Sequence, residues 1–82
     1  MNHKNDKKVK LVWRFSGTDA LKTAEHHLIH LQEFINREPV EALDISTSSL
    51  TDFSAITFMI VKHCYVEKLR LALKPHQGLL VD

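Results

Sequence analysis

Glycine, cysteine and long apolar runs are all scarce in this chain, and each shortage excludes something. With only Gly17 and Gly78, there is no glycine-rich loop to cradle a phosphate and no dinucleotide-binding fingerprint, since both need several glycines at fixed spacing. The one cysteine, Cys64, rules out an intramolecular disulfide framework and points to a reducing, cytoplasmic compartment. The longest apolar run, at 58–61, is far short of the roughly 20 residues that span a bilayer. The polar, charged start has no signal-peptide apolar region, so direct membrane insertion is not expected. Charge of one sign is also lacking. Eleven Lys and Arg against ten Asp and Glu leave a net charge of +1, which gives no chain-wide field to attract nucleic acid, and no nucleic-acid partner is expected.

What is present is an ordinary globular composition of 44% hydrophobic and 26% charged residues over 82 positions, enough for one small domain. A domain of this size buries only about 60% of the surface its unfolded chain exposes, so good packing or self-association matters to it. Residues 1–8, with Lys4, Lys7 and Lys8 against Asp6, form a basic tail expected to be a flexible leader. Residues 9–82 are expected to form the single folded domain, with no internal repeat or linker to divide it.

Along that domain, Val9, Leu11, Trp13 and Phe15 alternate with Lys10, Val12, Arg14 and Ser16, the period of a strand with one buried face. Gly17 ends it, and Thr18 or Asp19 is placed to cap a helix. Leu21, Ala24, Leu28, Leu31 and Ile35 then recur at helical spacing, with Lys22, His26, His30, Glu33 and Arg37 opposite, facing water. Pro39 stops that helix. The segment "VEALDIS" at 40–46 reads as a short central strand, and "STSS" as a loop. From 53 to 67 the pattern is mixed. Ile56, Ile60 and Cys64 make a helical stripe, with Cys64 as a small core residue and Phe58, Val61 and Tyr65 pointing away from it. The β-branched and aromatic content favours a strand, whereas length and a cap at the start favour a helix. The helix is the expectation. "KLRLALK" alternates Leu69, Leu71 and Leu73 as a third strand, and only a few extended residues follow Pro75. Strands alternating with helices predict a small α/β domain with a mixed or parallel sheet.

Side chains for catalysis are hard to assemble. His63 and Cys64 are adjacent, and on a helix they would point about 100° apart, a poor nucleophile–base geometry. No cofactor and no catalytic residue is expected. His26 and His30 are four apart on the exposed helix face, with Glu33 one turn on, spacing that lets two imidazoles share a metal ion. Nothing supplies a further ligand, so they are weak metal candidates. The remaining candidate is the junction "SLTDFSAI" at 49–56, where Thr51 or Asp52 is placed to cap the expected helix. A phosphate on Ser54 would there meet unpaired N–H groups and the positive end of the helix dipole.

The run "ALDISTSSLTDFSAITFMIV" at 42–61 resembles the core motif of the STAS domain, the family of bacterial anti-sigma-factor antagonists, and "RFSGTD" at 14–19 is similar to that family's entry to its first helix. The likeness extends over about residues 9–74, with Phe53 and Ala55 standing where the family has a small residue and a glycine. Relative to the family the chain looks shortened at both ends, which would leave sheet edges and one face bare and favour self-association or a covering partner. The resemblance implies a non-catalytic protein-interaction module that binds a partner kinase or anti-sigma factor through the 46–54 loop and the second helix. Asp44, Ser46, Ser49, Asp52, Phe53, Ser54 and Phe58 would form the contact surface, with Ser54 as the phosphorylated switch. The alternative it implies is a constitutive accessory subunit clamped to the ATPase of a lipid-transporting ABC system.

Overall fold

The computed structural model describes residues 7–81. The first strand, β1 (Lys8–Ser16), buries Val9, Leu11 and Trp13 on one face, as its period of two predicts. The expected tail falls on residues outside those described, apart from Lys7 and Lys8, and Lys8 already belongs to the strand. Gly17 turns the chain with a φ of +115°, a conformation that side-chain-bearing residues avoid. Its N–H donates to the Phe53 carbonyl oxygen at 2.8 Å. Helix α1 (Ala20–Arg37) follows, with Asp19 at its N-cap position but no side-chain cap bond. Ala24 and Leu31 are buried, Leu28 and Ile35 half-buried, and the face carrying Lys22, His26, His30, Glu33 and Arg37 is exposed. Glu38, ahead of Pro39, is extended and closes the helix.

Beyond residue 41 the structure departs from the sequence expectations. β2 (Ala42–Thr51) continues through the "STSS" segment read as a loop. β3 (Ser54–Lys62) occupies most of the segment expected as the second helix. A short 3-10 turn at His63–Tyr65 leads into α2 (Val66–Leu73), where a strand was expected, and β4 (Gln77–Val81) closes the chain. The physical reasons are local. In β3, Ala55, Thr57, Met59 and Val61 fill one face, and Ile56, Phe58 and Ile60 the other, so both faces are apolar. Such a run suits a strand with neighbours on both sides, and its stiff β-branched residues lose less there than in a helix. In α2, strong helix formers separate the leucines, and the Arg70 guanidinium donates to the Glu67 carboxylate at 2.9 Å across one turn. That turn leaves Leu69 fully buried and Leu71 64% exposed.

The four strands lie in the order β2-β3-β1-β4, and every neighbouring pair is antiparallel. The expectation of a mixed or parallel sheet is therefore corrected: this is a small α/β fold on an antiparallel sheet, and β2 is an edge rather than a central strand. β3 sits between β1 and β2, and β1 between β3 and β4, so each helical crossover skips a strand, the split βαβ arrangement of ferredoxin-like topology. Both helices lie on one face. Leu31 of α1 and Leu69 of α2 share a core with Val9, Leu11, Trp13, Met59 and Val61. Trp13 Nε1 donates to the Leu73 carbonyl oxygen at 2.9 Å, satisfying one of the orphan acceptors at the end of α2. Near the hairpin end, Ala20, Ala24 and Ala55 let α1 approach the sheet closely, and the fully buried Thr57 hydroxyl donates to the Ala24 carbonyl oxygen at 2.6 Å. No helix among the described residues is long and apolar enough to cross a membrane.

Candidate functional site: the open face of the sheet

Because directly opposed residues of an antiparallel pair share a face, the register defines what stands on the side away from the helices. On β1 and β3, Lys8 faces Lys62, Lys10 faces Ile60, Val12 faces Phe58 and Arg14 faces Ile56. β2 adds Asp44 beside Ile60, Ser46 beside Phe58 and Ser48 beside Ile56. β4 adds Gln77 beside Val12 and Leu79 beside Lys10. The centre is an apolar row: Val12 is 3% exposed, sunk between its neighbours, while Ile56, Phe58 and Ile60 are half-buried and Leu79 is exposed. Neither helix packs on this face. An antiparallel sheet with one uncovered face ordinarily carries polar residues there, so an apolar centre is the informative departure.

Polar contacts fix the rim. Lys10 Nζ sits 4.4 Å from the Phe58 ring centroid, a cation–π contact across the central strands. Arg14 Nη2 donates to Gln77 Oε1 at 2.9 Å, holding the guanidinium along the β4 side. Asp44 Oδ1 accepts from the Ile45 N–H at 2.9 Å beside a register shift between Ala42 and Asp44. Such a bulge bends an edge strand and discourages edge-to-edge pairing with another chain.

All seven residues expected at a partner surface lie on the β2–β3 hairpin, but in two groups. Asp44, Ser46, Ser54 and Phe58 stand on the open face, and Ser46 directly opposes Phe58. Ser49 opposes Ala55 on the helix side, and Asp52 and Phe53 form the turn, with Phe53 60% exposed. The chemistry assigned to Ser54 changes most. It opens a strand, so there are no orphan helix N–H groups or helix dipole to receive a phosphate; its Oγ shares a hydrogen bond with Thr51 Oγ1 at 2.9 Å, and Thr51 Oγ1 accepts from the Phe53 N–H at 3.0 Å. Expectations placed on a second helix at 53–67 lose that helix. Cys64 is exposed rather than a core residue, and the stripe drawn through it is divided: Ile56 and Ile60 share the open face with Phe58, while Val61 is buried beneath the helices.

The histidines divide as well. His26 and His30 are exposed, their rings stacked at 5.3 Å, with His30 Nδ1 3.5 Å from Glu33 Oε1. Among the described residues no group of three metal-ligating side chains converges. His27, which periodicity did not single out, lies half-buried with its ring 5.1 Å from Trp13 and 5.5 Å from Phe15. Its Nε2 is buried without a hydrogen-bond partner among the described residues. Burial, then the nearby His30 and His76, hold its pKa below the ordinary histidine value. His76 in turn accepts at Nδ1 from the Arg14 backbone N–H at 2.8 Å. The contacts of His27 with Trp13 and Phe15 are packing between α1 and the sheet, whereas His26, His30 and His76 are exposed.

Against protein-family models, curated proteins and solved structures alike, the chain finds no match. The STAS resemblance therefore rests on the motif residues alone, and the helix that motif opens in the family is a strand here.

Proposed function

We propose that this chain is a non-catalytic binding module whose working surface is the open face of the sheet, continued by the tip of the β2–β3 hairpin. The observation that carries this reading is the apolar row of Ile56, Phe58 and Ile60, half-buried around the sunken Val12, on a face that neither helix covers. Leaving the exposed parts of Ile56, Phe58, Ile60 and Leu79 to water forgoes burial worth roughly 25 cal/mol for every Å², and apolar side chains rimmed by polar groups are a common mark of binding surfaces. Four of the seven residues read as partner contacts from the sequence, Asp44, Ser46, Ser54 and Phe58, stand on this face. The role this supports is recognition of a macromolecule by the sheet face, with the turn residue Phe53 as an outlying anchor.

The test is positional photocrosslinking in the native host. A photoreactive residue at Ser48, exposed on the open face, should give adducts to a macromolecule, whereas the same residue at Glu25, exposed on α1, should give few. Equal labelling at both positions, or labelling at Glu25 alone, would remove the open face as the working surface.

A further inference from the structure

The net charge of +1 conceals how the charge is arranged. Folding places Lys8, Lys10, Arg14 and Lys62 together on the open face, with Asp44 as the one carboxylate there among the described residues. The remaining described acids stand on the helices, the turns and the segments flanking them: Asp19, Glu25, Glu33, Glu38, Glu41, Asp52 and Glu67. Moreover, Lys8 and Lys62 are direct cross-strand partners on adjacent central strands, and Lys10 is the next residue on that face. Like charges directly opposed across an antiparallel pair work against the fold. Nothing in the sheet's own packing calls for that arrangement, whereas an anionic ligand on this face would.

The apolar centre narrows the class of anion. Phe58 lies in the middle of the face between Ile56 and Ile60, opposite Val12, with the Lys10 ammonium resting over its ring. A cation on an aromatic face occupies the place where a planar base would stack, and its flexible stem lets it move to a phosphate instead. An open antiparallel sheet face with an aromatic side chain at its centre and cations around it is suited to unpaired bases, whose faces stack while the backbone runs past lysine and arginine. A duplex hides those base faces, and an inorganic phosphate leaves the apolar row uncovered. We propose that the open face binds single-stranded nucleic acid, with Phe58 as the stacking platform and Lys8, Lys10, Arg14 and Lys62 as the phosphate contacts. This rests on the open face being the working surface and departs from the expectation drawn from net charge, which averages over both sides of the sheet.

The experiment uses the full chain and a fluorescent oligonucleotide of about ten uridines or thymidines, followed by anisotropy over a range of salt concentrations. Four phosphate contacts predict a slope of log affinity against log salt of about −3 for a single strand. Phe58→Ala should weaken binding about ten-fold or more. Lys62→Glu, at an exposed position where the new charge faces Lys8, should also weaken binding and flatten the slope, in a variant whose fold the change favours. Lys22→Glu on the exposed side of α1 should change binding by less than about two-fold, because that lysine lies away from the face. Binding that ignores Phe58→Ala, or that is as tight for duplex, would overturn the assignment in favour of general electrostatic adsorption. So would the absence of binding, including the case where the face is occupied by a second copy, seen as a concentration-dependent dimer. Crosslinks from Ser48 that identify only protein would likewise defeat this proposal while leaving the open face as the working surface.

Discussion

Two leucines two residues apart separate the helix from the strand that α2 resembles in sequence. In a strand, Leu69 and Leu71 face the same way and substitutions at the two should cost alike. In the helix, Leu69 is fully buried among Val9, Leu11, Trp13, Leu31, Met59 and Val61, whereas Leu71 is 64% exposed. Leu69→Ala removes buried methyl groups and leaves a cavity, at a cost of about 3 kcal/mol within the usual range for buried leucine. A domain of this size shifts its midpoint by about 4–8 °C per kcal/mol, so thermal unfolding followed by circular dichroism should show a fall of about 12–24 °C. Leu71→Ala should stay within about 0.5 kcal/mol of the parent, because little burial is lost and alanine is the best helix former. Equal losses at the two positions would refute the helical assignment of residues 66–73. With it would go the core that places both helices on one face and leaves the other open.

Three further outcomes follow from the packing. His27 has a folded-state pKa below the ordinary value of about 6.5. The unfolded chain therefore takes up the proton first, and stability should fall as pH drops below about 6.5 until folded His27 is protonated as well. His27→Phe, which fills the same slot against Trp13 and Phe15, should reduce that dependence and raise stability by about 1 kcal/mol in urea unfolding at pH 6; an unchanged pH profile would contradict this account of the residue. Lys62→Glu replaces a like-charged cross-strand pair with an opposite one and should stabilise the domain by about 0.5 kcal/mol at low salt, the gain shrinking as salt is added. Thr57→Val should cost about 1 kcal/mol through the lost bond to the Ala24 carbonyl, and a neutral outcome would show that bond to be dispensable.

How far the fold could be read from sequence varies along the chain for identifiable reasons. β1 and α1 were legible because each has one apolar face of unambiguous period, and the exposed side of α1 is where the charge pattern places it. The segment from 53 to 73 misled because its two signals point in opposite directions. β3 is apolar on both faces, which erases the alternation that marks a strand, and three spaced leucines imitate that alternation in a helix. The hairpin joining β2 to β3 was hidden by its turn. Asp52 and Phe53 form it without positive φ, so the usual Asn-Gly or Asp-Gly signal is absent, and a register shift between Ser49 and Thr51 takes up the mismatch. The site is half legible: Asp44, Ser46 and Ser54 belong to one motif and Phe58 is an aromatic just beyond it, yet they share a surface because of pairing. Lys10, Val12 and Arg14 were visible as the second face of β1. Their meaning depends on Ile56, Phe58, Ile60 and Lys62 standing opposite, and only the β1–β3 register supplies that.

Single-strand binding at the open face is tested by titrating an unlabelled single-stranded oligonucleotide into isotopically labelled protein and following each backbone amide by NMR. Shifts should concentrate at Lys10, Val12, Arg14, Ile56, Phe58 and Ile60, on β1 and β3, while Lys22, His26 and Glu33 on the outer face of α1 stay in place. Shifts centred on α1 instead, or no shifts at any concentration, would contradict it.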